Sequence, residues 1–136
     1  MIKGLQICDS KGFPIYTRTA NNFTGINGTL MSGLISAIGV MGKELFKQNI
    51  ANITFGEGSN TSYLTIIRKE LFKENKSIDF VYFSEQKCDL ASLNNISTTI
   101  FIDSKRDLID SSKVRDDLKP RINKIIDLNF LEIFQD

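Results

Sequence analysis

Residues 78–84, IDFVYFS, are the stretch that decides the fold. The four positions from Phe80 to Phe83 are all apolar or aromatic, so the run lacks the alternation of a strand with one solvated face. A strand of this composition is typically buried on both faces of its sheet. The run therefore predicts a strand in the middle of a sheet.

Four other segments carry strand signals, and one of them is predicted at an edge of the sheet. The turn DSKG separates the first two, which predicts an N-terminal hairpin, and the glycine-rich turn GEGSN separates the last two. Pro14 has no backbone N–H to donate to a neighbouring strand, so the second strand belongs at an edge. The four strands are predicted over 2–8, 13–18, 51–55 and 63–69.

Apolar residues at helical spacing predict three helices. These helices are predicted over 28–48, 90–108 and 114–130. The β-branched segment TTIFI, at 98–102, also fits a strand, but the spacing of the apolar residues around it favours a helix. Pro120 either kinks the last helix or opens a second helical segment. The predicted order is ββαβββαα in a single domain over 1–136, a length that suits one hydrophobic core.

Composition and charge exclude several classes of protein. The 136 residues include 17 Lys and Arg against 16 Asp and Glu, and the two signs are intermixed along the chain. No basic stripe is present, so no nucleic-acid partner is predicted. The chain shows neither a secretory signal nor about 20 consecutive apolar residues, which predicts a cytoplasmic protein without a transmembrane segment. Peripheral membrane association stays open. In that compartment Cys8 and Cys88 are predicted to be reduced thiols rather than one disulfide.

The residue types that carry most enzyme chemistry are missing or scattered. Histidine is absent and the two cysteines lack zinc spacing, so no metal ligand set is predicted. The segment GVMGKE, at 39–44, resembles part of a phosphate-binding loop, but Ala37 replaces the first required glycine and Glu44 the final Ser or Thr. The sequence therefore predicts no catalytic residue, no cofactor and no enzymatic activity.

The helix over 28–48 is unusual because many of its residues are small. Gly33, Gly39 and Gly42 each cost about 1 kcal/mol relative to alanine in a helix interior. In a helical projection Ser32, Ser36 and Gly39 lie on one side, with Gly33 adjoining, and larger apolar side chains cover much of the rest. We expect the larger side chains to cover the sheet. The small ones would then allow a second backbone to approach closely, either within the fold or across a subunit interface; tight packing on the sheet alone is the alternative.

The chain resembles the longin domain, within the longin/roadblock superfamily of trafficking and GTPase-regulating proteins. The resemblance is carried by IKGLQICDSKGFPIY and LMSGLISAIGVMGKELF, followed by NITFG, YLTIIRK and FVYFS in the family's order. The phrase LMSGLISAI is most like longin-like proteins of Asgard-type archaea. The resemblance implies an α/β (α+β) fold with a five-stranded antiparallel sheet, strand order 2-1-5-4-3 and helices on both faces. It also implies that 51–55 is the second edge strand, and it implies neither a catalytic residue nor a cofactor.

The resulting functional hypothesis is a non-catalytic adaptor that dimerises and serves small GTPase regulation or membrane-traffic machinery. We expect a homodimer, or a heterodimer with another longin or roadblock protein, built on the 28–48 helix and the 51–55 strand. The residues predicted at this interface are Ser32, Gly33, Ser36, Gly39, Lys43, Asn52 and Thr54. Two alternatives stay open: a small-ligand sensor or enzyme with a pocket beneath the C-terminal helices, and a roadblock-type GTPase regulator.

Overall fold

The computed structural model describes residues 2–9, 11–20, 28–48, 51–71, 73, 75–109 and 117–134, with the backbone alone at 28–32 and 109. Its elements follow the predicted order ββαβββαα. They are β1 (Ile2–Asp9), β2 (Pro14–Thr19), α1 (Gly28–Phe46), β3 (Asn52–Glu57), β4 (Asn60–Leu71), β5 (Lys76–Ser84), α2 (Leu90–Ile109) and α3 (Leu118–Asn129).

The five strands form one antiparallel sheet in the order β2-β1-β5-β4-β3. Strand β5 lies between β1 and β4, and its residues Phe80 to Phe83 are all buried, which confirms the central position predicted from IDFVYFS. Pro14 lies on β2, an edge strand, as its missing N–H requires. The order is also the one that the longin resemblance implied.

Helices α2 and α3 cover one face of the sheet and enclose the larger hydrophobic core. Tyr82 on β5 points into this layer, where its hydroxyl lies 2.6 Å from Ser97 Oγ and also donates to Leu93 O at 3.3 Å. The other fully buried side chains of this layer include Leu5, Ile7, Phe80, Leu93, Ile96, Ile100, Leu108, Ile122 and Ile126.

The segment TTIFI lies inside α2, so the predicted helix is confirmed there. Leu93, Ile96 and Ile100 follow one another at spacings of three and four, and at most 1% of each is exposed. This tertiary burial outweighs the small helix-propensity cost of β-branched residues.

The last helix, α3, carries Pro120 in its first turn. Amides of a first helical turn have no partner within the helix, so a proline costs no hydrogen bond there. Pro120 therefore lies in the opening turn of a helical segment and does not kink one. The start predicted at 114 lies outside the described residues.

Helix α1 covers the opposite face of the sheet, and it does so sparsely. Ile35 is its one buried side chain among residues 33–46, and it packs with a small cluster formed by Cys8, Leu64, Ile66, Val81 and Phe83. The expectation that the larger side chains of the helix cover the sheet is wrong for Leu34, Met41, Leu45 and Phe46, which are exposed. The small residues Ser36 and Gly39 instead line the space between the helix and the sheet.

The β3–β4 hairpin contains a glycine whose replacement should be costly. Gly56 has a φ of +87°, and a Cβ added there would collide with the carbonyl oxygen of Asn60. We expect Gly56→Ala to lower the free energy of unfolding by at least about 1–3 kcal/mol. Gly33→Ala is the matched control, because a Cβ at that exposed helical position meets nothing within 4 Å. It should raise stability by about 1 kcal/mol. Urea titrations of both variants measure the difference, and equal shifts of the two would contradict this account of Gly56.

Candidate functional site

A cleft of about 290 Å³ separates helix α1 from the sheet, and we call it the α1 cleft. Helix α1 contributes Ser36, Gly39 and Lys43 to its wall. Strands β1, β4 and β5 contribute Cys8, Arg68, Ser77 and Asp79. The cleft is open because the helix presents small groups here, and a Cβ added at Gly39 would meet nothing within 4 Å. It lies on the face of the sheet opposite α2 and α3, whereas the ligand-sensor hypothesis expected a pocket beneath those helices.

The floor of the α1 cleft holds a two-point ion pair between neighbouring strands. Arg68 on β4 and Asp79 on β5 lie directly opposite each other in the sheet register. Arg68 Nε donates to Asp79 Oδ1 at 2.8 Å, and Arg68 Nη2 donates to Asp79 Oδ2 at 3.1 Å. The hydrogen bond to Asp79 raises the pKa of Arg68 above its usual value, against the opposing effect of partial burial. Because both groups are partly shielded from water, the attraction between their charges is screened less than in an exposed surface pair.

One end of the cleft is closed by the turn of the N-terminal hairpin. Asp9 Oδ1 accepts hydrogen bonds from the backbone N–H groups of Lys11 and Phe13, each at 2.9 Å. Gly12 takes a φ of +85°, so the predicted DSKG turn is confirmed together with its mechanism. The carboxylate of Asp9 is thus engaged in holding the turn.

Lys43 is the cleft's other cationic side chain. It is exposed on the last turns of α1 and forms no ion pair with any residue that the structure describes. Since Arg68 and Asp79 compensate each other, the ammonium group of Lys43 is available to a ligand in the cleft.

The residues predicted at a partner interface do not form one surface. Ser36, Gly39 and Lys43 line the α1 cleft, and Gly33 is exposed elsewhere on the helix. The side chain of Ser32 lies outside the described part of the chain. Asn52 and Thr54 are exposed on β3, but Ile53 packs against the cluster under α1, so its two neighbours point to the other face of the sheet. The partner interface built on these residues stays a prediction.

A different set of residues forms an exposed apolar surface on α1. Leu34, Met41 and Leu45 recur at spacings of seven and four along one side of the helix, with exposed fractions of 42%, 58% and 67%. We call this set the outer stripe. Sequence reasoning places these residues on the sheet side and so misses the stripe, although their spacing of seven and four is a signal for it. Phe46 and, on β3, Phe55 are further exposed apolar residues.

Beyond β3 the sheet has no further strand among the described residues, so β3 is an open edge. The N–H of Ile66 on β4 donates to Ala51 O at 2.9 Å, so the backbone carbonyl of Ala51 points toward β4. In an antiparallel ladder successive residues alternate, so Asn52, Thr54 and Gly56 direct their N–H and C=O groups away from β4. The segment NITFGE carries a single charged residue, whereas protected edges usually carry more.

The described part of the chain shows neither a metal-ligand cluster nor a membrane-spanning helix. No group of three His, Cys, Asp or Glu side chains that could hold a metal ion occurs within the described ranges. None of the helices described is both long and apolar enough to cross a membrane. The structure contains no disulfide between Cys8 and Cys88, and Cys8 is buried.

Comparison with known proteins finds a structural similarity but no sequence match. No protein-family model matches the chain, and no curated protein matches its sequence. Among solved structures it is similar to Myxococcus xanthus MglB, with 18% sequence identity and a TM-score of 0.39 over 68% of this chain and 72% of MglB. The fold class is defined by the structure itself: a five-stranded antiparallel sheet in the order 2-1-5-4-3 with helices on both faces.

Proposed function

We propose that this protein is a non-catalytic, longin-like adaptor that dimerises and offers a platform to a small GTPase or to membrane-traffic machinery. One observation supports the proposal most: the exposed outer stripe of α1 occurs on the same small domain as the open edge of β3. Exposed apolar side chains and unpaired strand edges both favour association with another protein. The resemblance to the longin domain supplies the class of partner.

The proposed dimer joins two copies through β3 and α1. Antiparallel pairing of the two β3 edges would satisfy the outward backbone groups of Asn52, Thr54 and Gly56. The outer stripe is a second contact in this proposal. Burying Leu34, Met41 and Leu45 against the partner would stabilise the dimer by about 25 cal/mol for each Å² of apolar area removed from water. This revises the predicted interface, since the outer stripe replaces the small residues of α1 as its helical part.

A substitution at the edge strand tests the dimer. Thr54→Pro removes an N–H that points away from β4, so it should block strand pairing while leaving the β3–β4 ladder intact. We expect the wild-type chain to sediment as a dimer and the variant as a monomer with an unchanged circular dichroism spectrum. Thr54→Ala, which keeps the N–H, is the matched control and should remain dimeric. A wild-type chain that stays monomeric at high concentration would refute the dimer.

The GTPase platform needs a separate experiment. Immobilised protein is incubated with small GTPases from the same genome, each loaded with GDP or with a non-hydrolysable GTP analogue. We expect specific retention of one GTPase. Retention should be reduced by Leu45→Asp, which disrupts the outer-stripe contact of the dimer, and not by Lys119→Gln on α3. Retention of none in either nucleotide state would refute this part of the proposal. A change in nucleotide exchange or hydrolysis by the retained GTPase would favour the roadblock-type regulator over a passive adaptor.

A further inference from the structure

The α1 cleft has features of a binding site that neither dimerisation nor adaptor function uses. Its volume of about 290 Å³ lies at the lower end of the range for small-molecule sites. One wall is a helix whose Ser36 and Gly39 leave space, and the floor is the ion pair of Arg68 with Asp79. Hydrogen bonds across two paired strands hold that floor in place. The site is therefore concave, with a charged pair on its floor and hydroxyl groups in a partly apolar lining.

The charges of the cleft indicate which ligand it would accept. Arg68 and Asp79 neutralise each other, whereas the Asp9 carboxylate is turned onto two backbone N–H groups of its own turn, which do not cancel its charge. Lys43 remains as the cation without a charged partner among the described residues. The hydroxyl groups of Ser36 and Ser77 line the same space and can donate hydrogen bonds. An ammonium together with hydroxyl donors favours an anionic oxygen group.

We propose that the α1 cleft binds a small organic anion, a carboxylate or a phosphate monoester, with its anionic group at Lys43. The size of the cleft limits the ligand to a small metabolite and excludes a whole dinucleotide. Binding would fill the space between α1 and the sheet and so stabilise the position of the helix. The proposal is independent of the dimer, because none of these side chains belongs to the outer stripe.

Titrations with defined probes test the site. The ¹⁵N-labelled protein is titrated at low ionic strength with succinate, with inorganic phosphate and with uncharged succinamide. We expect saturable shifts of the amide signals of Ser36, Lys43 and Ser77 with at least one of the two anions, and none with succinamide. The anion that binds more tightly distinguishes a carboxylate ligand from a phosphate ester. Lys43→Gln should weaken binding by roughly tenfold or more, the usual loss for a charge-assisted hydrogen bond.

Two further variants make the test specific. Lys119→Gln removes the same charge from an exposed position on α3, on the other side of the sheet, and should leave binding unchanged. Gly39→Leu should narrow the cleft and weaken binding. A Cβ there meets nothing within 4 Å, and the melting temperature of the variant checks that the fold is retained. The proposal would be overturned by equal weakening in the two lysine variants, by succinamide binding as tightly as succinate, or by the absence of saturable shifts with either anion.

Discussion

Replacing Phe80 with alanine is expected to lower the free energy of unfolding by about 3–5 kcal/mol. Phe80 has no exposed area, and it lies on β5 between Ile7 of β1 and Ile67 of β4. Truncation removes apolar area from the centre of the larger core and leaves a cavity that packed neighbours fill only partly. A domain of this size is typically stable by about 5–15 kcal/mol, so this single change would remove a large share of its stability.

Chemical denaturation measures this effect, and an exposed phenylalanine provides the control. Phe13 is 65% exposed beside the N-terminal turn, so Phe13→Ala should change stability by no more than about 0.5 kcal/mol. The midpoint of the urea transition should fall strongly for Phe80→Ala and stay nearly constant for Phe13→Ala, with similar slopes for both. Equal losses in the two variants would show that β5 is not the central strand of the fold.

The strand positions could be predicted from the sequence because each depends on the chemistry of a few residues. The apolar run of IDFVYFS can be buried on both faces only inside a sheet, and Pro14 can be accommodated only where no ladder bond is required. The DSKG turn followed from an aspartate that caps its own backbone and a glycine with positive φ. The complete strand order was not contained in these local signals and came from the longin resemblance.

The orientation of α1 could not be predicted, because hydrophobicity is spread around most of the helix. Leu34, Ile35 and Met41 are all apolar, yet Ile35 alone of the three is buried. A periodic pattern identifies a helix but gives no direction when apolar residues lie on several sides. The ion pair of the α1 cleft was missed for another reason. Arg68 and Asp79 are 11 residues apart, and their contact depends on the register of β4 and β5, which local composition does not specify.

Stability should fall steeply above pH 10, because two tyrosines are held neutral in the folded protein. Burial raises the pKa of Tyr16 to about 12, although the positive charge of Arg18 opposes the shift. Burial raises the pKa of Tyr82 as well, against the opposing effect of its hydrogen bond with Ser97. In the unfolded chain both phenols ionise near pH 10. The unfolded state then binds fewer protons than the folded state, so the free energy of unfolding decreases as pH rises.

The size of this effect follows from proton linkage. Each tyrosine that stays neutral while its unfolded counterpart ionises removes about 1.4 kcal/mol of stability per pH unit. For Tyr16 the window runs from about pH 10 to its folded pKa of about 12, and below pH 10 its contribution does not vary with pH. Urea titrations at several pH values between 8 and 11.5 measure the free energy of unfolding. The contribution of Tyr16 should be constant up to about pH 10, and the free energy of unfolding should fall above that pH.

Phenylalanine variants isolate the contribution of each tyrosine to the pH dependence. Tyr82→Phe and Tyr16→Phe each lose hydrogen bonds, to Ser97 and Leu93 in the first case and to Asn123 in the second. Each should therefore be less stable at pH 8 by about 1 kcal/mol. Above pH 10 their stability should fall less steeply than that of the wild type, so the difference narrows or reverses. Parallel curves for wild type and both variants would mean that the two phenols ionise alike in the folded and unfolded chains, which is incompatible with their burial between the sheet and the C-terminal helices.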